Sequence, residues 1–484
     1  MASGCTAYVA NGPSKRGPAT MSDRQFYICA AGLTVFSLLL RVAYHLGADP
    51  LVHIAGDIND YVRYAWNLGQ HGVYSSAAID PDTVPIGDSF RPPGFPLFLL
   101  LAMKLSDFGS NWLNIAYAMQ IALSTTTVLL TTLLAREWIR PGFALLAGAL
   151  VALWPHHIVF ASTLLSETLL GFCMISGLWL SSLSYRRKSW PLATLTGAAF
   201  GFAALVNSLM LFFPLVAALL LFAHKQRRSG VSLFLTFSIV LGAWSVASPK
   251  NIDGRTNTHR ATINLVQGSW PIYHAAWKAR DQHDEARQLL DEIHAEIDLF
   301  ADDPRVGLKV LGQRLSLDPS GYTRWYLLEK PYLLWDWDIR LGWGDVHFLP
   351  VGETPMEKHP ILRGSHQTLK LLNPVLFALS LGAIAIVTLF LARGKEVTFA
   401  GLLVAGFVVY VTALHTILQA EPRYSIPYRP EQMILAAAML AFLWDQVMSR
   451  IPPKLESSTT SNVHHRSSTS TYNRVEKDRQ RNTG

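Results

Sequence analysis

Ten apolar stretches, near residues 26–46, 111–135, 143–160, 161–183, 191–206, 207–223, 231–249, 372–392, 398–418 and 430–448, alternate with short polar joints along this chain of 484 residues. A run of about 20 apolar residues forms a helix roughly 30 Å long, the depth of bilayer hydrocarbon, and a helix satisfies its own backbone hydrogen bonds there. The pattern predicts about ten transmembrane helices. The run from Phe95 to Met103 is too short to cross and reads as a half-buried segment at the outer surface. The stretch 189–223 lies between two basic connectors, so it must cross and return, turning near Asn207 and Ser208.

Orientation follows from the joints. Lys15, Arg16 and Arg24 precede the first span; Arg136 and Arg140, then Arg186, Arg187 and Lys188, then Lys225, Arg227 and Arg228, then Arg393 and Lys395 close later hairpins. All fall on one side, and positive connectors are retained in the cytoplasm. Two segments are then left outside, 47–92 and 250–371. In the second, Leu289, Leu290, Ile293, Ile297 and Leu299 recur at spacings near three and four, which predicts helices with one apolar face. Trp270, Trp277, Trp325, Trp335, Trp337 and Trp343 crowd the same segment, as interfacial anchors and core or as surfaces for stacking sugars.

Composition agrees with the pattern. Half of the residues are apolar, 15% are charged and the mean hydropathy is +0.24, which excludes an ordinary soluble domain. The net charge of +7 sits mostly in connectors and tails, so it reports topology and contact with membrane lipids, with no nucleic acid implied. Cys5, Cys29 and Cys173 fall in the tail or in spans and supply no disulfide framework. The first apolar segment is long enough to stay in the membrane rather than be cleaved, and no glycosylation sequon occurs, as fits a bacterial inner membrane.

Three polar clusters interrupt the apolar pattern on the face opposite the basic connectors: Gly56-Asp57-Ile58-Asn59-Asp60-Tyr61, Arg91-Pro92-Pro93-Gly94 and Glu421-Pro422-Arg423-Tyr424. After Asp57, apolar groups at Tyr61, Tyr64, Ala65 and Leu68 predict an amphipathic helix lying along the membrane. Asp57 either caps the free N–H groups at the start of that helix or offers a carboxylate to chemistry. Asp60, one turn on, faces solvent or assists. The prolines after Arg91 stiffen the return to the bilayer, so Arg91 snorkels to headgroups or holds a fixed position beside a lipid phosphate. Arg423, in another proline-stiffened joint, meets a phosphate in bidentate fashion or pairs with Glu421. Glu167, read as about two turns below the outer surface in the fourth span, must be paired, protonated or functional. His156 and His157 point different ways from an outer turn and read as interfacial, and no His/Asp spacing forms a convincing metal set. Gly197-x-x-x-Gly201 reads as helix packing.

Taken in order, Asp57-x-x-x-Tyr61, Arg91-Pro92-Pro93-Gly94, Ser166-Glu167-Thr168-Leu169 and Pro422-Arg423-Tyr424-x-x-Pro427 resemble the integral-membrane glycosyltransferases of the GT-C type. Within them the chain resembles the family 39-like group of protein O-mannosyltransferases and the lipid A aminoarabinose transferase. The resemblance covers roughly residues 26 to 250, and 415 to 435 by motif. It implies an all-α, GT-C-like bundle. Its parts are a cytoplasmic tail (1–25), a transmembrane catalytic module (26–250) including the first outer loop (47–92), an extracytoplasmic loop domain (251–371), C-terminal transmembrane helices (372–450) and a disordered cytoplasmic tail (451–484).

By position the resemblance makes Asp57 the catalytic acidic residue, Arg91, Arg423 and Tyr424 the donor-phosphate binders, and Asp60, Tyr61 and Glu167 supporting groups. It implies a polyprenyl-phosphate sugar donor and a glycan, lipid or protein acceptor on the extracytoplasmic face. Some relatives add a divalent metal at the acidic residue. Many relatives carry Asp-Glu where this chain has Asp57-Ile58, and the protein-mannosylating branch is among them, which favours a glycan or lipid acceptor here. The chemistry fits the residue types independently. A lipid phosphate is a good leaving group, so the site needs a base for the acceptor proton and cations for the departing phosphate, and no protonating acid. Two other classes share these needs. A transporter or flippase of a lipid-linked sugar would show repeated halves and polar groups at the midplane, and a polysaccharide ligase or polymerase would place its arginines and histidines in a late outer loop; neither pattern is visible in the sequence.

Overall fold

The computed structural model describes residues 21–48, 56–249, 257–342, 344–347 and 353–450. Residues 1–20 and 451–484 of the expected tails, and Trp343, lie outside these. Among the described residues the chain is helical, with no β-strand.

The first helix, α1 (Asp23–Gly47), opens with a capping box in which the Ser22 hydroxyl and the Gln25 side chain satisfy each other's backbone N–H groups. Between α1 and the next long helix lie α2 (Asp57–His71), in the loop expected outside, and α3 (Gly94–Leu105), just after it. The Phe95–Met103 run belongs to α3, whose residues are mostly buried, where Gly94 lets its start approach the backbone of Val206. Four helices follow: α4 (Trp112–Arg136), α5 (Pro141–Leu153), α6 (Pro155–Phe160) and α7 (Glu167–Arg187). Here the predicted spans 143–160 and 161–183 need correction. Pro155 cannot continue α5, so the helix breaks at Trp154, and residues 161–166 are not helical. Arg41 of α1, fully buried, sits at this break, donating to the carbonyl of Ala152 at 3.3 Å and to Ser124 Oγ at 2.7 Å.

Next come α8 (Trp190–Val206), α9 (Phe213–Ala223) and α10 (Arg227–Ala247). The turn falls at Asn207, whose side chain accepts from the Leu209 N–H, as the sequence predicts. Gly197 and Gly201 face α10 so closely that an added Cβ would lie 2.3 Å from the Leu233 carbonyl oxygen and 2.8 Å from Val240 Cβ. That is the small-residue packing expected of the motif.

The long segment expected outside contains α11 (Asn257–Gly268), α12 (Tyr273–Ala279), α13 (Asp284–Asp302), α14 (Pro304–Leu317), α15 (Pro319–Arg324), a π-helical turn over Trp325–Glu329 and α16 (Lys330–Trp335). Leu290, Ile293 and Ile297 of α13 bury against Val266, Tyr273 and Phe300, so the segment has a small core of its own. Trp325, Trp335 and Trp337 are buried, and Arg314 stacks over Trp270 at 4.2 Å, so these tryptophans serve packing.

The chain ends its described course with α17 (Pro355–Lys358), α18 (Pro360–Ala392), α19 (Phe399–Ile417), α20 (Pro422–Ser425) and α21 (Arg429–Met448). Helix α18 begins 12 residues before the predicted span. Among the described residues six helices are long and apolar enough to cross a bilayer, namely α1, α4, α7, α10, α18 and α19, and four further apolar stretches, including α3, α5 and α8, are shorter. The molecule is a multi-pass membrane protein, with six such helices where the sequence predicts about ten spans. His156 and His157 are buried in α6 rather than interfacial; His157 Nε2 lies 2.9 Å from the carbonyl oxygen of Ile426, just after α20.

Candidate active site

Four separate pieces of chain meet at one cleft: the start of α2, the coil before α3, the start of α7 and the short helix α20. Gly56 precedes α2 with φ of +56°, a left-handed conformation that glycine adopts without strain, and this turns the chain into the helix. No side-chain cap forms there, so the capping reading of Asp57 is set aside. Its carboxylate instead receives two guanidinium groups. Arg91 Nη2 lies 2.6 Å from Oδ1 and Arg423 Nη2 lies 3.2 Å from Oδ2.

Arg91 also closes on Asp60 Oδ2 through Nη2 at 2.7 Å and Nε at 3.0 Å, so Asp60 points into the cluster rather than to solvent. The Arg91 guanidinium stands 5.4 Å from the Tyr61 ring, and Tyr61 in turn packs edge-on against Phe95. Its backbone is braced as well. Tyr74 Oη donates to the Arg91 carbonyl at 2.9 Å, Tyr74 stacks on Tyr64, and Tyr64 donates to Asp88, which also accepts from the Ser76 N–H at 2.8 Å. Headgroup snorkelling does not describe such a buried, doubly paired arginine.

Arg423 is buried too, and its Nε donates to Glu167 Oε1 at 2.5 Å. Glu167 is the first residue of α7, not two turns inside a span, because the helix opens only after the non-helical 161–166 stretch. Its second oxygen is buried without a hydrogen-bond partner among the described residues. The local pair with Glu421 is replaced: Glu421 turns away to accept from the Arg340 backbone N–H at 2.7 Å and to face His274 at 3.5 Å. Tyr424 neighbours the cluster, but its hydroxyl donates to Gln419 Oε1 at 3.1 Å while its ring stacks on His415.

Electrostatics follow from the geometry. Burial works to raise the Asp57 carboxyl, and the charges of Arg423, Arg91 and, further off, Arg260 overturn this and hold it well below the usual carboxylate range. Burial likewise works against the charge on Arg423, and Glu167 with Asp57 more than restores it, so Arg423 stays cationic. The Asp57 side chain nevertheless keeps 33% exposure, against 9% for Arg91 and 10% for Arg423. Its carboxylate is thus ringed by protein yet reachable, as a group that must meet a substrate needs to be.

Arg260, on α11, carries no motif and is missed by the sequence reading; only the folding of α11 toward α2 brings its charge to bear on Asp57 and Tyr424. The bracing by Tyr74, Asp88 and His157 is equally silent in the sequence. For a divalent cation the cleft offers Asp57 and Asp60, both already satisfied by Arg91, and among the described residues no three His, Cys, Asp or Glu side chains converge as ligands.

No protein-family model matches the chain, and no curated protein matches its sequence. Solved structures match its fold. The apo crystal structure of the Archaeoglobus fulgidus oligosaccharyltransferase superposes with a TM-score of 0.50 at 13% identity, covering 88% of this chain and 51% of that one. Weaker overlays are given by oligosaccharyltransferase AglB of Archaeoglobus fulgidus with an inhibitory peptide and a dolichol-phosphate (TM-score 0.47, 14% identity, 88% and 51% covered) and by ArnT of Cupriavidus metallidurans bound to undecaprenyl phosphate (0.33, 15%, 90% and 82%). At such identities the likeness is one of fold. The chain has the GT-C type of membrane architecture, and it spans about half the length of the archaeal oligosaccharyltransferases it overlays.

Proposed function

We propose that the protein is a glycosyltransferase that moves a sugar from a polyprenyl-phosphate carrier to a hydroxyl of a glycan, lipid or protein acceptor, on the extracytoplasmic face of a membrane, the bacterial inner membrane by preference. One observation carries the reading: a reachable carboxylate, Asp57, shares its two oxygens between two buried arginines, Arg91 and Arg423, that arrive from opposite ends of the fold.

In the resting cleft the guanidinium groups are occupied by carboxylates. A lipid phosphate entering beside Arg91 and Arg423 competes for the same N–H donors and loosens their hold on Asp57, whose carboxyl then moves back toward its ordinary range and becomes a better base. Asp57 takes the proton of the acceptor hydroxyl, the hydroxyl oxygen attacks the anomeric carbon, and the bond from that carbon to the phosphate oxygen breaks. The bonding pair leaves with the phosphate, whose added negative charge falls to Arg91 and Arg423. Direct displacement inverts the sugar carbon. The carrier is itself the leaving group, so no second carboxylic acid is required, unlike glycoside hydrolysis. The phosphate-handling set is Arg91 and Arg423, with Tyr424 at its edge, and Asp60, Tyr61 and Glu167 hold the arginines in place.

The test is sugar transfer by purified protein in lipid, supplied with labelled polyprenyl-phosphate sugars and a panel of acceptors. Asp57→Asn should abolish transfer while donor binding persists. Arg91→Ala and Arg423→Ala should weaken the carrier by a few kcal/mol, since each contact is charge-assisted and buried. Normal turnover in Asp57→Asn would refute the base assignment.

A further inference from the structure

Lys370 on α18 pairs with Asp338 and Asp345, at 2.8 Å each, and so marks the polar boundary on the side of the site. Below it Leu371 and Val375 are exposed, the lipid-facing surface of that helix. Tyr332 of α16 packs edge-on against Phe377, seven residues beyond Lys370 and therefore about 10 Å deeper at 1.5 Å per residue. Trp335, at the end of α16, donates from Nε1 to Thr412 Oγ1 at 3.0 Å, and Thr412 lies five residues inside the end of α19, about 7 Å deep on the same scale. One leaflet of hydrocarbon is only about 15 Å thick.

On the outward side of this stretch Leu327 and Leu328 are each 67% exposed and Tyr332 is 53% exposed, beside the exposed Ile417 of α19. The charges within and beside the stretch have local partners, the Arg324–Glu329 pair remaining exposed. Arg324 pairs with Glu329 at 2.7 Å, and the fully buried Lys330 turns inward, donating to the carbonyl of Leu418 and lying 4.5 Å from the Tyr326 ring. A polar group is thereby removed from the apolar side, as a lipid-facing helix requires.

We infer that residues 325–335, the π-helical turn and α16, are embedded in the bilayer leaflet on the side of the site, with Leu327, Leu328 and Tyr332 against lipid acyl chains. The apolar patch continues the lipid-facing surface of α18 and α19, which sets its occupant. The helix also reaches the site: Lys330 holds the Leu418 carbonyl, and that strand of chain runs on through Glu421 to Arg423.

Spin labels decide the matter without any assay of activity. In protein with Cys5, Cys29 and Cys173 replaced by serine and reconstituted in phosphatidylcholine–phosphatidylglycerol vesicles, Leu328→Cys is labelled alongside Val375→Cys as the lipid reference and Glu292→Cys, on the exposed face of α13, as the aqueous one. Accessibility to oxygen relative to a water-soluble nickel complex should rank residue 328 nearer 375 than 292. A ratio nearer that of residue 292 overturns the inference. Leu327→Cys serves as the second site, and label at either position that sits with the aqueous reference counts against embedding.

Discussion

At the scale of single residues, the cleft couples charges that have no proximity in sequence. Arg423 is shared by Glu167 and Asp57, and removing one partner of a buried pair leaves the other charge uncompensated, at a cost of about 3–5 kcal/mol. Glu167→Ala should therefore lower the thermal midpoint in detergent by a matching amount, while Glu167→Gln, which keeps an acceptor oxygen, loses less. Glu421 behaves differently. Burial pushes its carboxyl up to about 7, against the opposing pull of Arg340 and Arg423. An acid raised in the folded state is protonated there when the unfolded chain has already ionised, so stability falls as pH rises from about 4.5 to about 7 and levels off above. Glu421→Gln should flatten that slope and gain up to about 3 kcal/mol at neutral pH, read by denaturation across the pH range. Asp57, Arg91 and Arg423 were legible because a charge flanked by prolines or glycine beside an apolar run has few structural uses. Their partners were not: nothing in Ser166-Glu167-Thr168 announces an arginine 256 residues away.

At the scale of elements, close helix packing is the constraint most exposed to test. Gly197 abuts a backbone carbonyl of α10, which cannot swing aside, so Gly197→Ala should separate α8 from α10 and cost about 1–3 kcal/mol in resistance to denaturant. Gly268, at the end of α11, faces the Leu418 carbonyl, where an added Cβ would come within 2.3 Å. Gly268→Ala should push the stretch leading to Arg423 and reduce transfer with a smaller loss of stability, a split measured by kinetics and melting on one sample. Helix positions and the turn at Asn207 followed from apolar runs and breakers. The break at Trp154 did not, because the sequence reading ends one span at residue 160 and begins the next at 161, and only Pro155 hints where α5 must stop. The early start of α18 was hidden by its polar first turns, in which only Leu362, Ser365 and Leu369 are buried.

At the scale of the whole molecule, the basic connectors share one side and the cleft lies on the other by the sequence reading. Alkaline phosphatase, which needs an oxidising compartment to fold, should be active when fused after Asp302 and inactive when fused after Lys188 or Arg228. The GT-C type of architecture was legible from four motifs in order, whereas the packing of the outer segment against α18 and α19 needed the three-dimensional fold. Asp57 draws one guanidinium from the coil before α3 and the other from α20, between the last two long helices. Cutting the chain in the joint between α10 and α11 would leave Asp57, Arg91 and Glu167 on one fragment and Arg423 on the other, so each fragment alone should be inert. Coexpressed, they should regain function only by reassembly, which makes the pair a split reporter of bundle association.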